Sequence, residues 1–283
     1  MPVAVSLLLI SVGMSLRWSQ ALTNAFRLGW QGRLRLLVAT FLVPPALALA
    51  LSRIFNLDKP ALAGLFLIGV VPGAPLMIRG IGKKGFDSHL AASYQVWGAA
   101  LTPVIVPLVV LLGGKLYGRD IWVDPVTLLI QILKVQFVPL LAGFAFTQFA
   151  PALANRAFRP ISLLGGLLLA LAIVLVLVKL GPALLETSPW VLLAAFLLAC
   201  GCIAVVPLTL PLDRSTVLTL AACNANRHVG LAVLMSGLFL NLRNVVPAIA
   251  CYVIASQIAM LLFARRYART GESPEPAPPV TRQ

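Results

Sequence analysis

Cys223-Asn224-Ala225-Asn226-Arg227-His228 lies in the middle of an apolar run, residues 215–239, and its reading decides the fold. The run is long enough to cross a bilayer, which takes about 20 apolar residues. A charge at the centre of a bilayer costs at least about 2.5 kcal/mol unless it is paired or faces a cavity. Two asparagines, an arginine and a histidine in close succession therefore mark a helix interrupted within the membrane. At such a break the last carbonyls of the preceding half-helix carry partial negative charge. Arg227 either ties the break together through them or contacts an anionic group of a substrate.

A second interruption lies upstream. Gly69-Val70-Val71-Pro72-Gly73-Ala74-Pro75 breaks the apolar run 61–79, because proline lacks an amide donor and clashes with the preceding turn. Each break follows a similar start, Leu57-Asp58-Lys59 in one case and Leu212-Asp213-Arg214 in the other. The offset of 155 residues (57 to 212) also carries Pro72 onto Arg227. An odd number of crossings separates the two, so they run in opposite orientations. Broken helices at matching places in an inverted repeat point to the binding site of a secondary transporter.

The rest of the chain agrees. Of 283 residues, 60% are hydrophobic and 11% charged, whereas a soluble domain keeps roughly 25% charge. Nine apolar runs are expected to cross as helices: roughly 2–16, 34–54, 61–79, 88–112, 122–149, 160–180, 189–211, 215–239 and 245–264. The first is short, and a truncated helix suits it better than a signal peptide because no charged residue precedes it. The net charge of +14 comes from basic residues in short connectors, not from a nucleic-acid face. Of the 22 basic residues, 14 fall on the connectors of the C-terminal side and 6 on the opposite side. That bias predicts a cytoplasmic C-terminus and an external N-terminus in a cell membrane. The tail 267–283 is Pro-rich and apolar-poor, and is expected to be disordered.

Thr40-Phe41-Leu42-Val43-Pro44, the Pro72-Gly73 break, Leu101-Thr102-Pro103 before Pro107, and the run from Asn224 to Gly230-Leu231-Ala232 together resemble the bile acid:sodium symporter family. The resemblance extends from Gly13-Met14 to about Phe263. It implies a transport (core) domain, 33–113 and 188–266, whose two broken helices cross, facing a panel domain, 1–32 and 121–181. It implies alternating-access transport of a small or amphipathic organic anion, with no enzyme activity and no cofactor. Family positions that hold sodium align with Thr40, Met77, Ile78, Cys223 and Arg227, so the resemblance implies weakened sodium coupling. A transport-dead sensor or assembly protein on the same fold is the alternative.

The candidate site therefore comprises Thr40, Pro72, Gly73, Ala74, Pro75, Met77, Lys134, Cys223, Asn224, Asn226, Arg227 and His228. Lys134, the other basic residue inside a run, either snorkels or lines the cavity between panel and core. His228 and His89 either carry a coupling proton or pack as neutral side chains. All eight acidic residues fall at run ends, in connectors or in the tail, so no carboxylate serves a relay at mid-membrane. The four cysteines show no metal spacing, and no metal site is expected. Gly80-Ile81-Gly82-Lys83-Lys84-Gly85 has the form of a dinucleotide loop but lies between two membrane helices, where it reads as a turn. Neither an H-E-x-x-H motif nor paired intramembrane aspartates are present, which argues against an intramembrane hydrolase.

Overall fold

A chain this apolar must satisfy its backbone internally, and helix is the solution taken throughout the described residues. The computed structural model describes residues 2–15, 29–73, 80–82, 84–117, 124–237 and 245–268, all helix and connector with no strand among them. The helices are α1 Pro2–Ser15, α2 Trp30–Ile54, α3 Lys59–Val70, α4 Ser88–Tyr117 and α5 Pro125–Phe149, followed by α6 Pro151–Leu185, α7 Pro189–Thr209, α8 Arg214–Ala225, α9 Val229–Ser236 and α10 Val245–Ala268. Six helical runs among the described residues are long and apolar enough to cross a membrane, with α8 and α9 counted as one, while α1 and α3 are shorter. Each apolar run of the sequence carries helix. The protein is a polytopic helical membrane protein.

The second expected interruption is present in the backbone, and the helix before the first ends where the sequence places it. Asp58 caps α3 by accepting from the Ala61 N–H at 3.2 Å, and Asp213 caps α8 by accepting from Thr216 at 2.9 Å. Each helix then runs 12 residues and stops. Beyond α3, Val71 is extended and Gly73 has φ +45. A positive φ strains most side chains, and a Cβ at Gly73 would also sit 2.6 Å from Gln95 Oε1, so glycine suits that turn. Beyond α8, Asn226, Arg227 and His228 form a short non-helical link to α9. Ala74, Pro75 and Met77 lie outside the described residues.

Two further irregularities come from proline. In α2, Val38–Leu42 widens to a π turn just before Pro44-Pro45, and in α5, Leu133–Phe137 does so before Pro139. A ring without an amide hydrogen cannot continue the ladder, and the wider turn absorbs the misfit.

Packing sorts the helices into two groups. α1 packs against α5 and α6, while α7 packs against α2, α8 and α10, and α3 against α2 and α10. The α1–α5 contact is backbone to backbone. A Cβ at Gly13 would strike the Leu140 carbonyl, and one at Gly143 would strike the Ile10 carbonyl. The groups meet along a seam where Val96 and Ala99 of α4 join Val12 and Leu140, and where Leu234 of α9 packs on Val5, Leu9 and Val135.

The Asp213 cap makes a direct prediction. Hydrogen bonds from the Thr216 backbone and hydroxyl hold the Asp213 carboxyl below the usual aspartate range. A depressed folded pKa stabilises the fold above the unfolded value, about 3.9, and that contribution is lost as pH falls through the folded value. Asp213→Ala should cost about 1 kcal/mol, whereas Asp213→Asn retains most of the cap. Thermal unfolding in detergent at pH 7 and at about pH 2.5, below the unfolded aspartate value, checks both, with the wild-type advantage over Asp213→Ala shrinking at the lower pH.

Candidate functional site at the helix breaks

The site begins with the carbonyls that Pro44 and Pro45 leave bare. In α2 the Val43 N–H bonds to the Val38 carbonyl, five residues back. The Ala39 carbonyl then has neither Val43 nor Pro44 as donor, and the Thr40 carbonyl would need Pro44 or Pro45, which have no N–H. A buried carbonyl without a donor costs about 1–3 kcal/mol. Thr40 and Ala39 are fully buried, so their partners must come from another helix.

They come from the second break. Arg227 Nη1 donates to the Thr40 carbonyl at 2.8 Å, and Asn224 Nδ2 donates to the Ala39 carbonyl at 3.1 Å and to the Cys202 carbonyl at 2.8 Å. Arg227 Nη2 donates to Asn224 Oδ1 at 3.2 Å and approaches Cys202 Sγ at 3.6 Å. The Tyr94 hydroxyl lies between Asn224 Oδ1, at 3.1 Å, and Thr40 Oγ1, at 3.3 Å. Tyr252 donates to the Ala225 carbonyl at 2.8 Å, covering the end of α8. One network thus joins α2, α4, α7, α8 and α10. Arg227 is 2% exposed at its centre, and only its Nε lacks a partner among the groups described.

The remaining candidates divide. Asn226 turns back to the Ala222 carbonyl at 2.8 Å, and Cys223 is fully buried in α8. His228 caps α9, its Nδ1 accepting from the Leu231 N–H at 3.1 Å while its buried Nε2 has no partner. Pro72 packs on α4 near Gly98. Lys134 is not brought to this network. It lies on an exposed face of α5, one turn from Ile130 and one from Val138, both exposed. Among the described residues, no group of three or more histidine, cysteine, aspartate or glutamate side chains could hold a metal.

Sequence reading missed Tyr94, Tyr252 and Cys202. They are neutral side chains inside apolar runs and belong to no motif. The available signal was Pro44-Pro45, which predicts two bare carbonyls and hence donors from elsewhere.

A helix broken within an apolar run, with its polar link buried against the proline-bent turn of another helix, is a feature that carriers share. The sequence model of the Sodium Bile acid symporter family matches residues 2–187, about two thirds of the chain. This chain belongs to the sodium bile acid symporter family. A comparison with curated proteins gave no match. The matched region holds the proline-bent α2, the Gly73 turn, and the α1–α5–α6 group. Arg227 and Asn224 lie outside it, so the family assignment does not rest on those two residues. Members of the sodium bile acid symporter family are transporters rather than enzymes.

Proposed function

We propose that this protein moves a small or amphipathic organic anion across the membrane by alternating access, with Arg227 standing where a coupling sodium ion would otherwise bind. The observation that carries the reading is the Arg227 guanidinium, buried at the break and bonded to the Thr40 carbonyl and to Asn224. A hard cation is held by oxygens, and the Thr40 carbonyl and Asn224 Oδ1 here already accept hydrogen bonds from the Arg227 side chain. The substrate class follows from the family. The transport domain consists of 33–113 and 188–266, and the panel of 1–32 and 121–181. Packing of α1 with α5 and α6, apart from the cluster around α7 and α10, supports that division. The matched caps and equal lengths of α3 and α8 support an inverted repeat within nine crossings. The C-terminus is cytoplasmic by the charge bias.

The test is flux of labelled taurocholate, and of smaller carboxylates and sulfonates, in vesicles containing the purified protein. Replacing sodium by N-methylglucamine should leave the rate within about twofold. A steep loss of flux would place sodium ligands elsewhere and refute the substitution by Arg227. Absence of protein-dependent flux for every anion would favour a sensor or assembly role on this fold.

A further inference from the structure

The two ends of the helix bundle differ in charge. Chain direction puts the starts of α2, α4, α6 and α8 and the ends of α5, α7 and α10 at one end. Two contacts tie that end together. Arg35 of α2 donates to the Thr209 carbonyl at the end of α7, at 3.5 Å, and Phe86, just before α4, stacks on Phe263 of α10 with ring centroids 5.9 Å apart. Arginines stand there on α2, α6, α8 and α10, and Lys84 lies two residues before Phe86. Asp87 and Asp213 are the carboxylates described at this end. Both are engaged in capping, Asp87 by the His89 and Leu90 N–H groups and Asp213 by that of Thr216. At the opposite end Arg53, Lys59 and Lys115 are offset by Asp58, Asp124 and Glu186.

On α10 this basic end continues an apolar face. Ile254, Ile258, Leu261 and Leu262 are each 46–53% exposed and recur at the three- and four-residue spacing of one helix face. Arg265 and Arg266, both exposed, follow Leu261 and Leu262 by one turn. Ile254 to Arg265 covers about 16 Å of helix, which is about half the depth of a hydrocarbon core of roughly 30 Å. An apolar stripe as deep as one leaflet, ending in two guanidinium groups, matches the outline of a phospholipid.

We infer that this face of α10 binds an anionic phospholipid, with an acyl chain along Ile254, Ile258 and Leu261 and the phosphate at Arg265 and Arg266. Guanidinium groups hold phosphate oxygens by charge-assisted and often paired bonds. A choline lipid offers the same phosphate, but its ammonium cancels the charge, so net negative charge is what the arginines select. Each arginine near an anionic surface contributes roughly fivefold in affinity, the equivalent of about 1 kcal/mol. α10 also carries Tyr252, whose hydroxyl donates to the Ala225 carbonyl at the end of α8. A lipid that holds α10 therefore steadies the second helix break, and the occupied protein resists unfolding more than the empty one.

The experiment titrates phosphatidylglycerol, phosphatidylcholine or glycerophosphate into the full chain in neutral detergent and reads the unfolding temperature. Phosphatidylglycerol should raise it saturably, while the other two at equal concentration should not. Arg265→Gln combined with Arg266→Gln should raise the half-saturating concentration of phosphatidylglycerol roughly 25-fold, about fivefold for each arginine. The exposed positions predict no loss of stability in the lipid-free double variant. Lys115→Gln, at the other end, should titrate as the wild type. An equal response to phosphatidylcholine would overturn selection by charge, and a full response to glycerophosphate would overturn the acyl stripe. An unchanged titration in the double variant would overturn the site on α10.

Discussion

Arg227→Ala is expected to unfold at a markedly lower temperature than the wild type in detergent, with a net loss of about 2 kcal/mol or more. The Thr40 carbonyl would stay buried without a donor, at about 1–3 kcal/mol, and Asn224 Oδ1 would be left with the Tyr94 hydroxyl alone. Truncation adds a cavity, costing about 24 cal/mol for each Å³ left unfilled. Against this, removing a buried charge returns the roughly 2.5–3.5 kcal/mol spent on placing it in the membrane. The losses outweigh the gain because a bare carbonyl, a weakened Asn224 and a void are left behind. Arg227→Lys keeps the charge but offers a compact ammonium in place of a planar fork. It should retain the bond to one acceptor and lose roughly half as much. Were the residue mainly a substrate anchor, stability would be spared in both variants, and Arg227→Lys would weaken substrate affinity sharply. Thermal unfolding and substrate affinity of the two variants side by side decide between the roles. If both stay at wild-type values, neither role stands.

Gly143→Val should be the most damaging single change on the α1–α5–α6 side. The position that a Cβ would take at Gly143 is occupied by the Ile10 backbone carbonyl, and that at Gly13 by the Leu140 carbonyl. Backbone cannot rotate away as a side chain can, so α1 and α5 must separate. Overpacking of this kind costs about 1–3 kcal/mol, occasionally more, and separation also opens the Val5–Leu9–Val135 cluster. Gly166→Ala is the control, since nothing lies within 4 Å of its Cβ position and alanine favours helix by up to about 1 kcal/mol. Thermal unfolding should show a large drop for Gly143→Val and none for Gly166→Ala. Equal behaviour of the two would mean that α1 does not lie against α5 as described.

Legibility in the sequence differed by kind of feature. Run length and low charge made the membrane class plain, and Pro72 and Arg227 located the end of α3 and the link after α8 to within a few residues. Thr40 was singled out for its side chain, yet its backbone carbonyl is what Arg227 holds, because the consequence of Pro44-Pro45 acts four and five residues upstream. Asn224 was legible as a polar residue at mid-span, but not its two carbonyl partners on α2 and α7. Tyr94 joins Asn224 across 130 positions of sequence, and no local pattern encodes such a meeting. Lys134 shows the reverse. A charge inside a span states that something must solvate it, but not which side of the helix it occupies, and here that side is exposed.

The bond between Arg227 and the Thr40 carbonyl spans 187 residues, and this bears on how the chain is made. α2 leaves the ribosome with its bent turn already lacking two amide donors. No residue near it in sequence supplies them. The turn must keep water, or remain in a polar channel, until α8 and the link after it arrive. The first half of this protein is therefore an unfinished object when it is synthesised, and its second half acts as the clasp that lets the whole settle into lipid.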